Sequence, residues 1–207
     1  MFIDFKKDRQ LGSVLRQWWQ VLDVHPIGQR LSDSDAQADG GERALLHLRG
    51  DRAGRAALRR AGSVTAVVMT PAYQRLYGRL CAAGWQPDRR LDGRDDRLAA
   101  AVGLLAHVEV DDDRPLPQAM SRRGKEGPPA GDDRPPVSPL RFMRLLESPD
   151  LDALFTGLRR TLPLLRGGDG VRADVLALAT DVVNWHGDDR VRKRWAYGYE
   201  WPDKPGD

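Results

Sequence analysis

The chain has 207 residues, 33 lysines and arginines against 30 aspartates and glutamates, and 41% hydrophobic residues, enough to bury a core without outside staples. Its single cysteine, Cys81, excludes an internal disulfide and a cysteine-rich zinc site, and no run of about 18 apolar residues is available to span a bilayer. The N-terminus MFIDFKKDRQ lacks the apolar core of a signal peptide, so the expected location is cytoplasmic.

Helix signals dominate the chain and strand signals are nearly absent. Residues 11–22, LGSVLRQWWQVL, repeat Leu11, Leu15, Trp18, Trp19 and Leu22 at helical spacing until His25-Pro26 interrupts. A polar loop is expected at 32–41. The helix-compatible run at 42–61 that follows is weakened at Gly50 and Gly54. Thr70-Pro71 reads as an N-cap with proline at the first helical position, opening a helix that Gly84 can close. Residues 95–107 are nearly all alanine, leucine and valine on one side and should form a central helix.

From 111 to 136 the character changes to six prolines, several glycines and charges of both signs, which reads as a linker with room for one helical turn near 118–122. Four helical segments follow, at 138–148, 150–165, 173–185 and 188–199, with short turns at Ser148-Pro149, Gly167-Gly168 and Gly187. The expected architecture is all-α: an N-terminal helical bundle at 1–110, a Pro/Gly-rich linker at 111–136 and a C-terminal helical bundle at 137–207.

No catalytic or metal-binding set assembles. The histidines at 25, 47, 107 and 186 lack ligand spacing, and the runs Asp95-Asp96 and Asp188-Asp189 stand before helices, where acids oppose the positive end of the dipole. Gly124-Lys125 lacks the rest of a phosphate loop, and no nucleophile elbow occurs. The expectation is no enzyme, no cofactor and no metal.

The positive signal is a set of cations projected off the apolar faces. Arg52, Arg55 and Arg59 form a row with Arg60 beside it. Arg141 and Arg144 share the face opposite an inward set of Phe142, Met143, Leu145 and Leu146. Arg160 stands opposite the stripe of Leu154, Phe155, Leu158 and Leu162, with Arg159 at its edge. In VRKRWAYGYEW, the stripe Val191, Trp195 and Tyr199 points inward, while Lys193, Arg194 and Tyr197 point outward. Few acids lie within a turn of these cations, so such rows can grip phosphate by charge and shape without reading bases. Solvated helix faces are also charged by default, and a helical adaptor for acidic protein surfaces is the competing reading.

The segments WWQVL, ALRRA, TPAYQRLYGRL, RLAAAVGLLAHV, VSPLRFMRLLESPDLDALFTGLRRTLPLL and DVVNWHGDDRVRKRWAYGY together resemble the small-subunit (CasB) family of Cascade, the type I-E CRISPR interference complex. The resemblance implies an all-α, non-catalytic subunit of an antiviral surveillance complex. Its implied partners are the complex's backbone and large subunits, a second copy of itself, and the target and displaced DNA strands of the R-loop. Arg60, Arg94, Arg141, Arg160 and Arg190 match basic positions of the family pattern. With the outward projections, the candidate nucleic-acid residues are Arg59, Arg60, Arg94, Arg141, Arg144, Arg159, Arg160, Arg190, Lys193 and Arg194.

Overall fold

A computed structural model describes residues 2–22, 51–88, 93–122, 134–186 and 189–201. The polar loop expected at 32–41, His25, His47 and linker residues 123–133 lie outside the described residues. In chain order the structure comprises α1 (Arg9–Leu22), α2 (Arg52–Arg60), α3 (Val64–Val68), α4 (Pro71–Ala82) and α5 (Arg94–Leu105). It continues through β1 (Val110–Asp111), α6 (Leu116–Ser121), α7 (Pro139–Leu146), α8 (Leu151–Thr161), a 3₁₀ turn at Leu162–Leu165, β2 (Arg166–Gly167), β3 (Gly170–Ala173), α9 (Val175–Asn184) and α10 (Asp189–Gly198).

Short polar side chains start many of these helices by accepting hydrogen bonds from otherwise orphaned N–H groups. Asp51 caps α2 through Gly54 N (2.7 Å), Thr70 caps α4 through Tyr73 N with Pro71 at the first position, and Asp150 and Asp174 cap α8 and α9. Gly84 follows α4 with φ +108°, a conformation that L side chains rarely adopt, and the chain turns there.

The α5 helix is central because it is apolar nearly all round: Leu98 through Leu105 are all buried. Such a helix must be covered on every side. It packs against α3 and α9, and also against α2 and α8. Gly103 lets the covering come close, since a Cβ there would stand 2.7 Å from Val67 Cγ2 and 2.9 Å from Phe155 Cε2.

Because α9 and α8 come from the C-terminal part of the chain, the buried side chains form one continuous hydrophobic cluster instead of two separate cores. Other contacts tie the same halves together. Ile3 N donates to Asn184 Oδ1 (3.0 Å), Phe5 N to Thr180 Oγ1 (3.1 Å), and the Arg97 Nε to Val183 O (2.8 Å).

The described part of the expected linker is also built into the fold. β1 pairs in parallel with β3 (Val110 with Arg172), and β2 pairs antiparallel with β3, giving a small sheet in the order β1-β3-β2. The helical turn expected near 118–122 is the helix Leu116–Ser121, whose Leu116, Ala119 and Met120 are buried and which packs on α10. Strands of two to four residues give too short an alternation to be read from sequence.

Trp18, Leu22, Tyr73, Leu76, Leu104, Phe142, Phe155, Leu158, Leu162, Trp185, Trp195 and Tyr199 are all buried. On α7 the inward face is narrower than expected. Phe142 and Leu145 are buried, Leu146 is half-buried, and Met143 is exposed beside Leu140. An eight-residue helix resting mainly on α8 and α10 has only a narrow seam to bury.

Candidate nucleic-acid interface

The C-terminal end of α5 leaves carbonyl groups without helical partners, and arginines of α2 supply the missing donors. Arg55 Nε donates to Ala106 O (3.0 Å) and its NH2 to Val108 O (2.5 Å), while Arg59 Nε donates to Ala106 O (2.8 Å). Arg59 NH2 also reaches Glu109 Oε1 (2.9 Å). Of the row expected to face outward, Arg55 is therefore buried and Arg59 half-buried. The long arginine stem lets a residue at the helix edge bend back over the core and satisfy it.

Glu109 is the hub of this cluster. It accepts from Arg59, from Arg166 NH2 (2.8 Å to Oε2) and from Val171 N (2.9 Å). Against the burial that would raise it, the Arg59 bond, the Val171 N–H and Arg166 hold its carboxyl down to about 2. Next to it, burial and then the charges of Arg159, Arg59 and Arg55 push His107 down to about 4, so the imidazole is neutral. Arg159 NH2 donates to Arg59 O (3.0 Å), and its guanidinium lies 5.6 Å from the Phe155 ring. That bond joins the C-terminal ends of α2 and α8.

A second carboxylate organises α10. Asp181 of α9 accepts from the Trp195 indole (2.6 Å) and pairs with Arg194. Burial pushes its carboxyl up to about 6 against the pull of those two partners. Arg94 is held in the same structural manner. Its NH2 donates to Gln86 O (2.7 Å), and its guanidinium lies 5.8 Å from the Trp85 ring. Asp95, beside it, accepts from Tyr77 OH, the Trp85 indole and Asp88 N, which commits this carboxylate to the fold.

The ten candidate cations thus divide. Arg59, Arg94, Arg159 and Arg194 have their guanidinium groups engaged within the fold, and the Arg190 guanidinium lies 5.7 Å from the Phe2 ring. Arg60, Arg141, Arg144, Arg160 and Lys193 are exposed, with no ion pair among the described residues. Arg60 and Arg160 belong to the junction made by the Arg59–Arg159 bond. Arg141 and Arg144 lie on α7, packed beside α8, and Lys193 lies on α10.

Sequence reasoning missed the Glu109 hub and Arg166, which exposes much of its side chain there. Glu109 follows an apolar helix with no periodic signal to flag it. It also missed that Leu140 and Met143 share the outward side of α7 with the arginines.

Fold and surface define a class: a mostly helical protein whose cations cover outward helix faces. Its described residues gather no cluster of metal ligands and contain no helix long and apolar enough to cross a membrane. The model of the family described as CRISPR-associated protein Cse2 matches residues 54–199. The chain belongs to that family, the small subunit of type I-E Cascade, and is a structural component of a CRISPR complex. No match is found among curated proteins or solved structures.

Proposed function

We propose that the chain acts within Cascade by holding nucleic-acid backbone through charge, without sequence preference, and that this grip stabilises the R-loop during target recognition. The observation that carries the reading is the exposed set Arg60, Arg141, Arg144 and Arg160, which have no ion pair among the described residues. Such guanidinium groups are available for phosphate, whose contacts position a protein without reading sequence. A weak grip suffices. R-loop formation exchanges one duplex for a heteroduplex of similar stability, so a few backbone contacts can tip it, and tethering by partner subunits supplies effective concentration. The partners implied are the backbone and large subunits, a second copy of the chain, and the target and displaced strands.

The test is a salt titration of nucleic-acid binding with Arg60, Arg141 and Arg160 all changed to alanine. Removing one phosphate partner should flatten the dependence of log K on log salt by about 0.7–0.9, and the order of preference among sequences should stay the same. A triple variant that binds like wild type at every salt concentration, alone and in R-loop stability within the complex, refutes the reading.

A second reading has its own observation. Leu140, 63% exposed, and Met143 alternate with Arg141 and Arg144 on α7, and a mixed apolar and basic face suits an acidic protein surface. In that case Leu140→Ser weakens assembly while nucleic-acid binding stays intact.

A further inference from the structure

The α10 helix sorts its side chains sharply. Val191 and Trp195 are buried, as is Tyr199 just beyond, while Arg192 pairs with Asp189 and Arg194 with Asp181. Helical spacing sets Arg190, Lys193, Arg194 and Tyr197 on one outward face. Tyr197 is 90% exposed, more than any other large hydrophobic side chain among the described residues. The other exposed aromatics have company. Phe2 lies by Arg190, and Trp201 packs on Phe142 (5.8 Å) and Tyr199 (4.9 Å). The Tyr197 ring meets no other ring among the described residues, and Lys193, one turn before it, is exposed with no ion pair among them.

An aromatic ring exposed on a helix beside an uncommitted cation suits a ligand that is both flat and anionic. A protein hot spot is usually ringed by near-neutral side chains that exclude water. Here the neighbours three and four positions back are the cations Arg194 and Lys193. A nucleotide with an unpaired base supplies both features, since every base has a π face and every phosphate a charge. A duplex keeps its base faces stacked within itself.

We propose that this face of α10 is a single-strand platform, on which Tyr197 stacks against an unpaired base while Lys193 holds an adjoining phosphate. The inference rests on the nucleic-acid reading above and adds strand state to it. The exposed arginines accept any phosphate backbone, whereas Tyr197 distinguishes single strand from duplex.

The full-length chain is titrated at low salt with end-labelled oligo-dT and with a blunt duplex of the same length, followed by fluorescence anisotropy. Tyr197→Ala should weaken single-strand binding by about fivefold to 150-fold while leaving duplex binding and the salt slope unchanged, because the change removes a stack and keeps every phosphate partner. Tyr197→Phe should bind like wild type. Lys193→Ala should instead flatten the single-strand salt slope by about 0.7.

If wild type binds both forms and Tyr197→Ala binds oligo-dT equally well, the platform is overturned while the nucleic-acid reading stands. An equal loss on single strand and duplex also overturns it, since stacking cannot weaken the duplex. Failure of wild type to hold either form, both alone at low salt and within the assembled complex, removes both readings and leaves this face to a protein contact. Thermal melts of each variant report the fold separately from binding.

Discussion

Replacing Trp195 by alanine should be among the most damaging single changes in the chain. The indole is fully buried, sits edge-on to Trp185 (4.7 Å between ring centroids), stacks near Phe142 and donates to Asp181 at 2.6 Å. Removing a buried tryptophan side chain typically costs ~3–5 kcal/mol in transfer energy and cavity. Stranding a buried acceptor adds ~1–3 kcal/mol, here on a carboxyl that burial already pushes up to about 6. A loss of roughly 4–8 kcal/mol is a large fraction of the ~5–15 kcal/mol that holds an ordinary protein folded. At ~2–4 °C per kcal/mol for a chain of this size, the melting temperature should fall by at least ~8 °C. The measurement is urea denaturation followed by far-ultraviolet circular dichroism, with midpoint and slope both fitted. Trp195→Phe keeps most of the packing but not the donor and should fall between wild type and alanine. A loss below ~1 kcal/mol for Trp195→Ala would refute the view that this ring anchors α10 to α9.

His107 should make the fold sensitive to mild acid. Its folded value is pushed to about 4 while the unfolded chain titrates near 6.5, so the unfolded state takes up a proton first and stability is lost as pH falls from about 6.5 to 4. The gap corresponds to ~3 kcal/mol, and His107→Gln should flatten stability over that window. Asp181 works in the opposite sense, because a raised carboxyl loses stability as pH rises through about 4 to 6, so the difference between variant and wild type is what isolates the histidine. Gly103→Ala should destabilise by ~1–3 kcal/mol in a thermal melt, since its Cβ meets Val67 and Phe155 inside van der Waals contact. An unchanged melt would mean that α3 and α8 can back away from α5.

Much of the helical framework was legible because it is periodic. The stripe from Leu11 to Leu22, the Thr70-Pro71 start and the all-apolar 95–107 run each carry a local signal, and the structure has α1, α4 and a buried α5 at those places. The central position of α5 was legible for the same reason. What covers it was not, because Phe155 and α9 meet it from beyond the Pro/Gly-rich stretch, and nothing local in a chain records a contact of that range. Composition alone made 111–136 look like a spacer. Yet Asp111 accepts from Val175 N (3.0 Å), and Met120 O accepts from Val137 N (3.0 Å), tying the described part of that stretch to the C-terminal part of the chain. In the candidate interface, projection placed Arg160 and Arg141 outward, as the structure does. It also placed Arg55 outward, because a helical wheel has no knowledge of the bare carbonyls at the end of a neighbouring helix.

That distinction explains why arginines come in adjacent pairs at 59–60 and 159–160. Neighbouring residues on a helix point about 100° apart, so at an edge position one side chain turns toward the protein and the next toward solvent. Arg59 and Arg159 turn inward and stitch α2, α8 and Glu109 together, whereas Arg60 and Arg160 are exposed at the same junction. The two members of a pair should therefore fail in different assays. Arg59→Ala removes bonds to Ala106 O and Glu109 and should lower stability by ~1–3 kcal/mol, leaving Arg166 as the remaining side-chain partner of that carboxylate among the described residues. Arg60→Ala should leave the melt within ~0.5 kcal/mol of wild type and act only on the salt dependence of nucleic-acid binding. If the two variants instead melt alike, or if Arg59→Ala weakens nucleic-acid binding with its stability intact, the division into stitching and gripping arginines does not hold.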